Sequence, residues 1–238
     1  MSVGNQDNIA LLLVPGLLCT ERLFRPQIDA LTGSAKASIG DHRHDSDLST
    51  IAARILGSAP ERFALAGLSM GGYIALEIMR QAPQRVLRLA LLDTSARPDT
   101  AQQTARRKEL IAMAQDGRFG DVISALIPNF IHPARHGDKE LVTILESMAL
   151  ETGVDAFVRQ QNAIMNRVDS RPGLGAISCP VDIIVGAQDA LTPPELAREM
   201  ASAIPGARLH EIADCGHIAT LERAEQVNAI LRDWLVRC

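Results

Sequence analysis

The stretch Phe63–Met79, FALAGLSMGGYIALEIM, holds one serine among glycines. Gly67 stands two places before Ser69, and Gly71 and Gly72 follow after Met70. The run Phe63–Gly67 is short and apolar and reads as a strand. Met70–Gln81 carries Ile74, Ala75 and Ile78 at helical spacing. Gly-x-Ser-x-Gly is common by chance, but a strand before it and a helix after it impose a physical requirement. The chain must turn sharply, with the serine in a strained conformation that only small neighbours permit. Such a turn lifts Oγ above the carboxyl edge of a sheet. It also sets the serine at a helix N-terminus, where developing negative charge is favoured. The competing reading is a Gly-rich turn whose serine merely caps the helix.

Outward from this stretch, short apolar runs alternate with longer helical patterns. Ile9–Val14, Val86–Leu92, Val181–Gly186 and Ala207–Ile212 read as further strands, with Ala37–Gly40 a weaker one. Near-continuous apolar runs of this length are expected when both faces of a parallel sheet are covered. Helices are expected at Leu48–Leu56, Met70–Gln81 and Thr220–Val236. The last has Leu221, Ala224, Val227, Leu231, Trp234 and Leu235 on one face. The alternation predicts a doubly wound α/β domain with right-handed crossovers. It fails between Arg97 and Arg171, where helical stretches at Ala101–Gln115, Gly120–Ile127, Asp138–Leu150 and Val154–Asn166 are broken by Pro128, Pro133 and Gly137. The predicted organisation is a core of residues 1–96 and 172–238 with an all-helical cap, 97–171, inserted between two core strands.

Composition narrows the function classes. A net charge of -4 and 3% aromatic residues leave no footprint for nucleic acid or base stacking. The run IALLLVPGLL from Ile9 is too short to span a bilayer and is interrupted by Pro15. No basic residue precedes it, so it is a poor signal peptide. Cys19, Cys179, Cys215 and Cys238 show no CxxC pairing and read as reduced thiols of a cytoplasmic protein. Cys19 and Cys215 lie close to motifs described next and are candidates for a pocket wall.

A serine needs a base to become a nucleophile at neutral pH. His42 and His44 sit in the charged DHRHDSD, where a solvated loop outweighs a metal site. His132 and His136 fall in the Pro-rich break, and His210 within the last strand. His217, in ADCGHIATLE, follows that strand and precedes the last helix, at the same sheet edge as Ser69. It is the expected base. The orienting acid is expected at that edge too. Asp189 leaves a strand through a Gly-led turn and is the expected acid. Asp93, in LALLDTSAR, is its rival, with hydrogen bonding of the turn into the insertion as the bland role. Asp214 is too near His217 in sequence. Oxyanion donors are expected from the backbone N–H of Met70 and from the loop VPGLLCTERLF, where Gly16 directs the N–H of Leu17 to the site. Leu18 is the neighbouring alternative.

These residues together resemble the α/β-hydrolase fold family. The order Ser69, Asp189, His217 is that family's chain order, and the resemblance covers nearly the whole chain. The insertion looks like the helical lid of small esterases, enol-lactonases and C–C hydrolases. Two departures stand out. The family's usual His-Gly of the oxyanion loop is Pro15-Gly16 here, and Met1–Asn8 is too short for the opening hairpin, so a reduced, mainly parallel sheet of about six strands is expected.

The resemblance and the chemistry imply a serine hydrolase acting through an acyl-enzyme on Ser69, with no metal or organic cofactor. Leu18, Phe130 and Phe157 are the expected substrate-pocket residues, and Met70 is expected to border the pocket. Phe119, Ile123, Leu126, Met148 and Ile164 could join them or simply hold the cap together. Arg135, Arg159 or Arg167 could meet a substrate carboxylate, with a solvated face as the plainer reading. The expected partner is a small or medium, mostly apolar ester or lactone, with no nucleic acid or membrane, in a monomer or homodimer. The same triad on C–C or amide bonds or in acyl transfer is the alternative chemistry. A hydrolase-like receptor without catalysis is the alternative class.

Overall fold

Six short segments form strands that pair in parallel, in the order β2-β1-β3-β4-β5-β6. The computed structural model describes residues 8–237, so Met1–Asp7 and Cys238 lie outside the described residues. In chain order the elements are β1 (Ile9–Val14), α1 (Arg25–Leu31), β2 (Ala35–Ile39), α2 (Leu48–Ser58), β3 (Phe63–Leu68), α3 (Met70–Gln81) and β4 (Val86–Leu92). Then come α4 (Ala101–Gln115), α5 (Phe119–Phe130), α6 (Lys139–Met165), β5 (Val181–Gly186), α7 (Pro194–Ala203), β6 (Arg208–Ile212), α8 (Ala219–Glu222) and α9 (Ala224–Val236). This is the expected α/β architecture.

Alternation along the strands builds the two faces. Leu11, Leu13, Ala64, Ala66, Leu92 and Ile184 face one layer with Val227, Leu231 and Trp234 of α9. Leu12, Leu65, Leu89, Leu91, Ile183 and Val185 face the other, with α2, α3 and α7. Cover on both sides leaves β1 and β3 apolar throughout, whereas the edge strands β2 (AKASI) and β6 (RLHEI) carry polar residues. Trp234 is fully buried and still satisfies its indole N–H, which donates to the Leu89 carbonyl at 3.1 Å.

Several boundaries differ from the sequence reading. β2 starts two residues earlier, and Gly40 lies beyond its end with its N–H on the Leu13 carbonyl. The expected helix Thr220–Val236 is two helices. Arg223, at φ -133° and ψ 47°, interrupts it, because Glu222 turns inward to bind two backbone N–H groups described below. Pro128 lies inside α5 and does not end it. The two helices expected at Asp138–Leu150 and Val154–Asn166 are both present within α6, parted at Gly153, whose φ 76° and ψ 168° are non-helical.

The helices α4, α5 and α6 lie between β4 and β5 in the chain and pack on one another. Phe119 and Phe157, with ring centroids 5.6 Å apart, join α5 to α6. Among the described residues no helix is long and apolar enough to cross a membrane.

Candidate active site

The turn after β3 has the strain its sequence requires. Ser69 sits at φ 57°, ψ -116°, a left-handed conformation rare for a side-chain-bearing residue. Its N–H is held by the Leu92 carbonyl at 2.9 Å, and its carbonyl accepts from Thr94 Oγ1 at 2.8 Å. The glycines around it are steric necessities. A Cβ on Gly67 would strike the Gly71 backbone, and one on Gly71 would strike the Val14 carbonyl.

Ser69, His217 and Asp189 are brought together. Ser69 Oγ lies 2.8 Å from His217 Nε2, and His217 Nδ1 lies 2.8 Å from Asp189 Oδ2. An ionised carboxylate only accepts, so the ring proton sits on Nδ1 and Nε2 is left to accept from the serine hydroxyl. Asp189 is shaped by its own turn. Oδ1 accepts from the N–H groups of Leu191 and Thr192, and Oδ2 accepts from Thr192 Oγ1 at 2.7 Å. His217 is fixed through its backbone N–H, which donates to the Phe130 carbonyl at the end of α5. Glu222 closes the loop, accepting from the N–H groups of Gly216 and His132, each at 2.8 Å.

Electrostatics follow this geometry. Burial pushes Asp189 up, but the charge and hydrogen bond of His217 and the donors of Thr192 outweigh it and hold its pKa low. Burial pushes His217 down, while the charge and hydrogen bond of Asp189, then the charges of Asp93 and Glu222, raise it above the ordinary histidine value.

The loop after β1 is held from behind. The Gly16 carbonyl accepts from Cys19 N–H at 3.1 Å and from His42 Nε2 at 2.9 Å. In a trans peptide the C=O and N–H point opposite ways. Anchoring the Gly16 oxygen therefore turns the Leu17 N–H away from His42. Leu18, at φ 60°, donates its own N–H to Gln160 Oε1 at 3.1 Å. That commits the donor that sequence left as the alternative to Leu17. Among the described residues, the N–H groups of Leu17 and Met70 donate no hydrogen bond within the protein.

A cavity of about 210 Å³ opens at Ser69 and His217, and Leu17 and Phe130 line it. Of the other apolar residues suggested for the insertion, Leu126 and Ile164 also line it. Three pocket expectations are corrected. Leu18 is 2% exposed and Phe157 fully buried, and neither reaches the cavity. The left-handed turn at Leu18 buries its side chain in the core, and Phe157 is packed on Phe119. The Met70 side chain is likewise buried, in the layer beneath α3, because the first turn of that helix faces the sheet. Cys19 lines the cavity and Cys215 does not. Burial pushes the Cys19 thiol up to about 12 and raises Cys215 as well, so both stay protonated.

Three residues escaped the sequence reading. His42, read as part of a solvated loop, is 2% exposed. Its signal is its place just after β2, at the strand edge that also supplies Ser69 and His217. Thr192 stands three residues after Asp189, the spacing of a side-chain-stapled turn. Gln160 left no local signal, since its partner Leu18 is 142 positions away. Asp93 does not staple the turn into the insertion. Its carboxylate accepts from Gly186 N–H at 2.9 Å and from Ala219 N–H at 3.1 Å. Of the three arginines considered, Arg167 lines the cavity. Arg135 is bound to Asp138 and the Glu222 carbonyl, and Arg159 to the Arg43 carbonyl. No cluster of His, Cys, Asp and Glu able to hold a metal ion occurs among the described residues.

Known proteins share this frame. Residues 12–230 match the Alpha/beta hydrolase family. The pimeloyl-acyl-carrier-protein methyl ester esterase of Aromatoleum aromaticum is 29% identical over 191 residues, covering 75% of this chain and 76% of its own. A thermophilic esterase from Thermogutta terrifontis superposes with a TM-score of 0.87 at 26% identity, over 96% of this chain and 89% of that one. The enol-lactonase of Burkholderia xenovorans superposes with a TM-score of 0.89 at 24% identity, over 97% and 92%, and shows the fold. With the match running from β1 into α9, the chain belongs to the alpha/beta hydrolase family of enzymes.

Proposed function

We propose that the protein is a serine hydrolase that cleaves a small or medium, mostly apolar carboxylic ester or lactone through an acyl-enzyme on Ser69. One observation carries this reading: Ser69 Oγ, His217 and Asp189 form a continuous chain of 2.8 Å contacts at the floor of the cavity. His217 Nε2 takes the hydroxyl proton as Ser69 Oγ attacks the carbonyl carbon. The oxyanion that forms is held by the N–H groups of Leu17 and Met70, with the α3 N-terminus adding its dipole. Collapse breaks the ester C–O bond, and His217 returns the proton to the leaving alcohol. Water, deprotonated by the same ring, then attacks the acyl carbon; the Ser69 Oγ–acyl bond breaks, His217 returns the proton to Ser69 Oγ, and the acid leaves. Asp189 holds the imidazole tautomer and stabilises the imidazolium without taking the proton. The helices of 97–171 act as a cap over the cavity. The ester-cleaving relatives from Aromatoleum and Thermogutta support the bond type.

The test is covalent labelling with a fluorophosphonate together with a panel of p-nitrophenyl esters. Labelling on Ser69 and turnover in wild type, both lost in Ser69→Ala, are expected. A wild-type protein that neither labels nor cleaves any ester of the panel overturns the reading.

A further inference from the structure

Among the described residues, every charged side chain that lines the cavity, apart from His217, is an arginine: Arg106 and Arg107 of α4, and Arg167 just beyond α6. No aspartate or glutamate among the described residues lines it. The nearby carboxylate, Asp99, lies behind the wall with its side chain 1% exposed. It accepts from Arg107 Nε at 2.7 Å and from Arg167 Nη1 at 2.5 Å. One negative charge is thus shared by two guanidinium groups, and the wall keeps a net positive charge. Arg106 adds another, balanced only by Glu109 in an exposed pair that water screens.

The two inner arginines differ in what they can still do. Arg167 is committed: it donates to the carbonyls of Arg97 and Ile164 as well as to Asp99, and its guanidinium stacks 4.3 Å over the Tyr73 ring. Arg107 sends three N–H bonds to Asp99 and Gln161, and its remaining N–H groups are uncommitted among the described residues. Its side chain is 20% exposed. Gln161, which lines the same cavity, is fully buried and turns its oxygen to Arg107 Nη1 at 2.8 Å. That contact fixes the amide orientation, and the other end, Nε2, has no acceptor among the described residues. The rest of the wall is largely apolar, with Leu110, Leu126, Phe130, Leu191, Leu196 and Ile218. An apolar cavity with a cationic, donor-rich side and no acidic group complements an anion with an apolar body.

We propose that Arg107, supported by Arg106 and Gln161, is a recognition site for a carboxylate on the substrate, so that the preferred ester or lactone is itself an anion. The inference rests on the reading of Ser69 as the nucleophile, since it places the scissile carbonyl at Ser69 and the carboxylate across the cavity. The arginine fork supplies two parallel donors to the carboxylate oxygens, and Asp99 pins the fork from behind.

The test compares chain-matched pairs. Monomethyl esters of linear dicarboxylic acids are set against methyl esters of monocarboxylic acids of equal length, and acetylated hydroxy acids against acetylated alcohols. The readout is the ratio of kcat/KM within each pair, which general damage to the enzyme leaves in place. In one or both series the carboxylate-bearing ester is expected to be favoured by about tenfold or more. Arg107→Met is expected to bring the ratio close to one, Arg106→Met to lower it less, and Arg107→Lys to retain part of it. Arg118→Met, in an exposed pair with Asp121 outside the cavity, keeps it. If Arg107→Met does not fold, Arg107→Lys and Arg106→Met carry the test. Wild-type ratios at or below one in both series, or ratios unchanged in the arginine variants, overturn the carboxylate site. If neutral esters are cleaved and Ser69 is labelled, that result leaves the acyl-enzyme reading standing. If no ester of either kind is cleaved and Ser69 is not labelled, both fall together.

Discussion

Two aspartates leave neighbouring strands at the same edge of the sheet, and they do opposite work. Asp189, after β5, points its carboxylate at a side chain, His217 Nδ1. Asp93, after β4, spends both oxygens on main-chain N–H groups, at Gly186 and Ala219. The first N–H ends β5 just ahead of the Asp189 turn, and the second lies two residues past His217. Asp93 therefore ties together the loops that carry Asp189 and His217. Its environment shows the cost. Burial pushes its pKa well up, the Asp189 charge pushes it further, and His217 and the two N–H donors pull it back only in part. Asp189, by contrast, is held low. A carboxylate at the right edge is thus not enough. What separates the two is whether the turn after the strand reaches the imidazole or the backbone that carries it.

The comparison is broken most directly through kcat. Asp189→Asn is expected to lower kcat by about 10⁴-fold, because the wrong imidazole tautomer faces Ser69. Asp93→Asn is expected to cost roughly ten- to a hundredfold, through displaced loops. Steady-state kinetics with one ester on both variants decides between them. A loss larger in Asp93→Asn would exchange their roles.

Stability sharpens the contrast. In Asp93→Asn an amide NH₂ faces one of two buried N–H donors, which is expected to cost about 1–3 kcal/mol in urea unfolding. An unchanged midpoint would mean that the tie contributes nothing to the fold. His42 is the corresponding main-chain anchor at the oxyanion loop. His42→Leu releases the Gly16 carbonyl and is expected to lower kcat about tenfold with little change in KM. His42→Gln, which restores a donor near Nε2, is expected to recover much of it. Equal losses in both variants would count against a role through the Gly16–Leu17 peptide.

The smallest expected effect is a shift in the pH profile. His217 must be neutral to act as base, so kcat/KM rises with pH as the ring loses its proton. The midpoint is expected above the ordinary histidine value of about 6.5, because the neighbouring carboxylates raise it. Asp189→Asn removes the largest of those contributions and moves the midpoint down. Asp93→Asn moves it down less. A midpoint that stays in place in Asp189→Asn would separate the profile from this ring.

Much of the fold was legible in advance because burial on both faces of a parallel sheet leaves a plain mark in its central strands, a short and nearly continuous apolar run. The positions of Ser69, Asp189 and His217 were legible for a related reason. Each follows such a run within a few residues, and glycines mark where the backbone turns. Side-chain direction was not legible. Met70 and Leu18 carry or adjoin the N–H groups proposed to hold the oxyanion, yet the backbone turns at Ser69 and Leu18 send both side chains into the core. His42 sits among charged neighbours and is nevertheless buried, because the loop after β2 folds beneath Gly16.

By itself, the amino-acid sequence, through near neighbours in the chain, set the strand and helix periods, the glycines that permit the Ser69 turn, and the order of Ser69, Asp189 and His217 along the sheet edge. Only the tertiary structure decided what depends on groups distant in the chain. It committed the Leu18 N–H to Gln160 and anchored Gly16 on His42. It also gave Asp93 to the backbone and lined one side of the cavity with arginines. The physical reason is that local propensity acts over a few residues, whereas a buried polar group takes whichever partner the packed fold brings within about 3 Å.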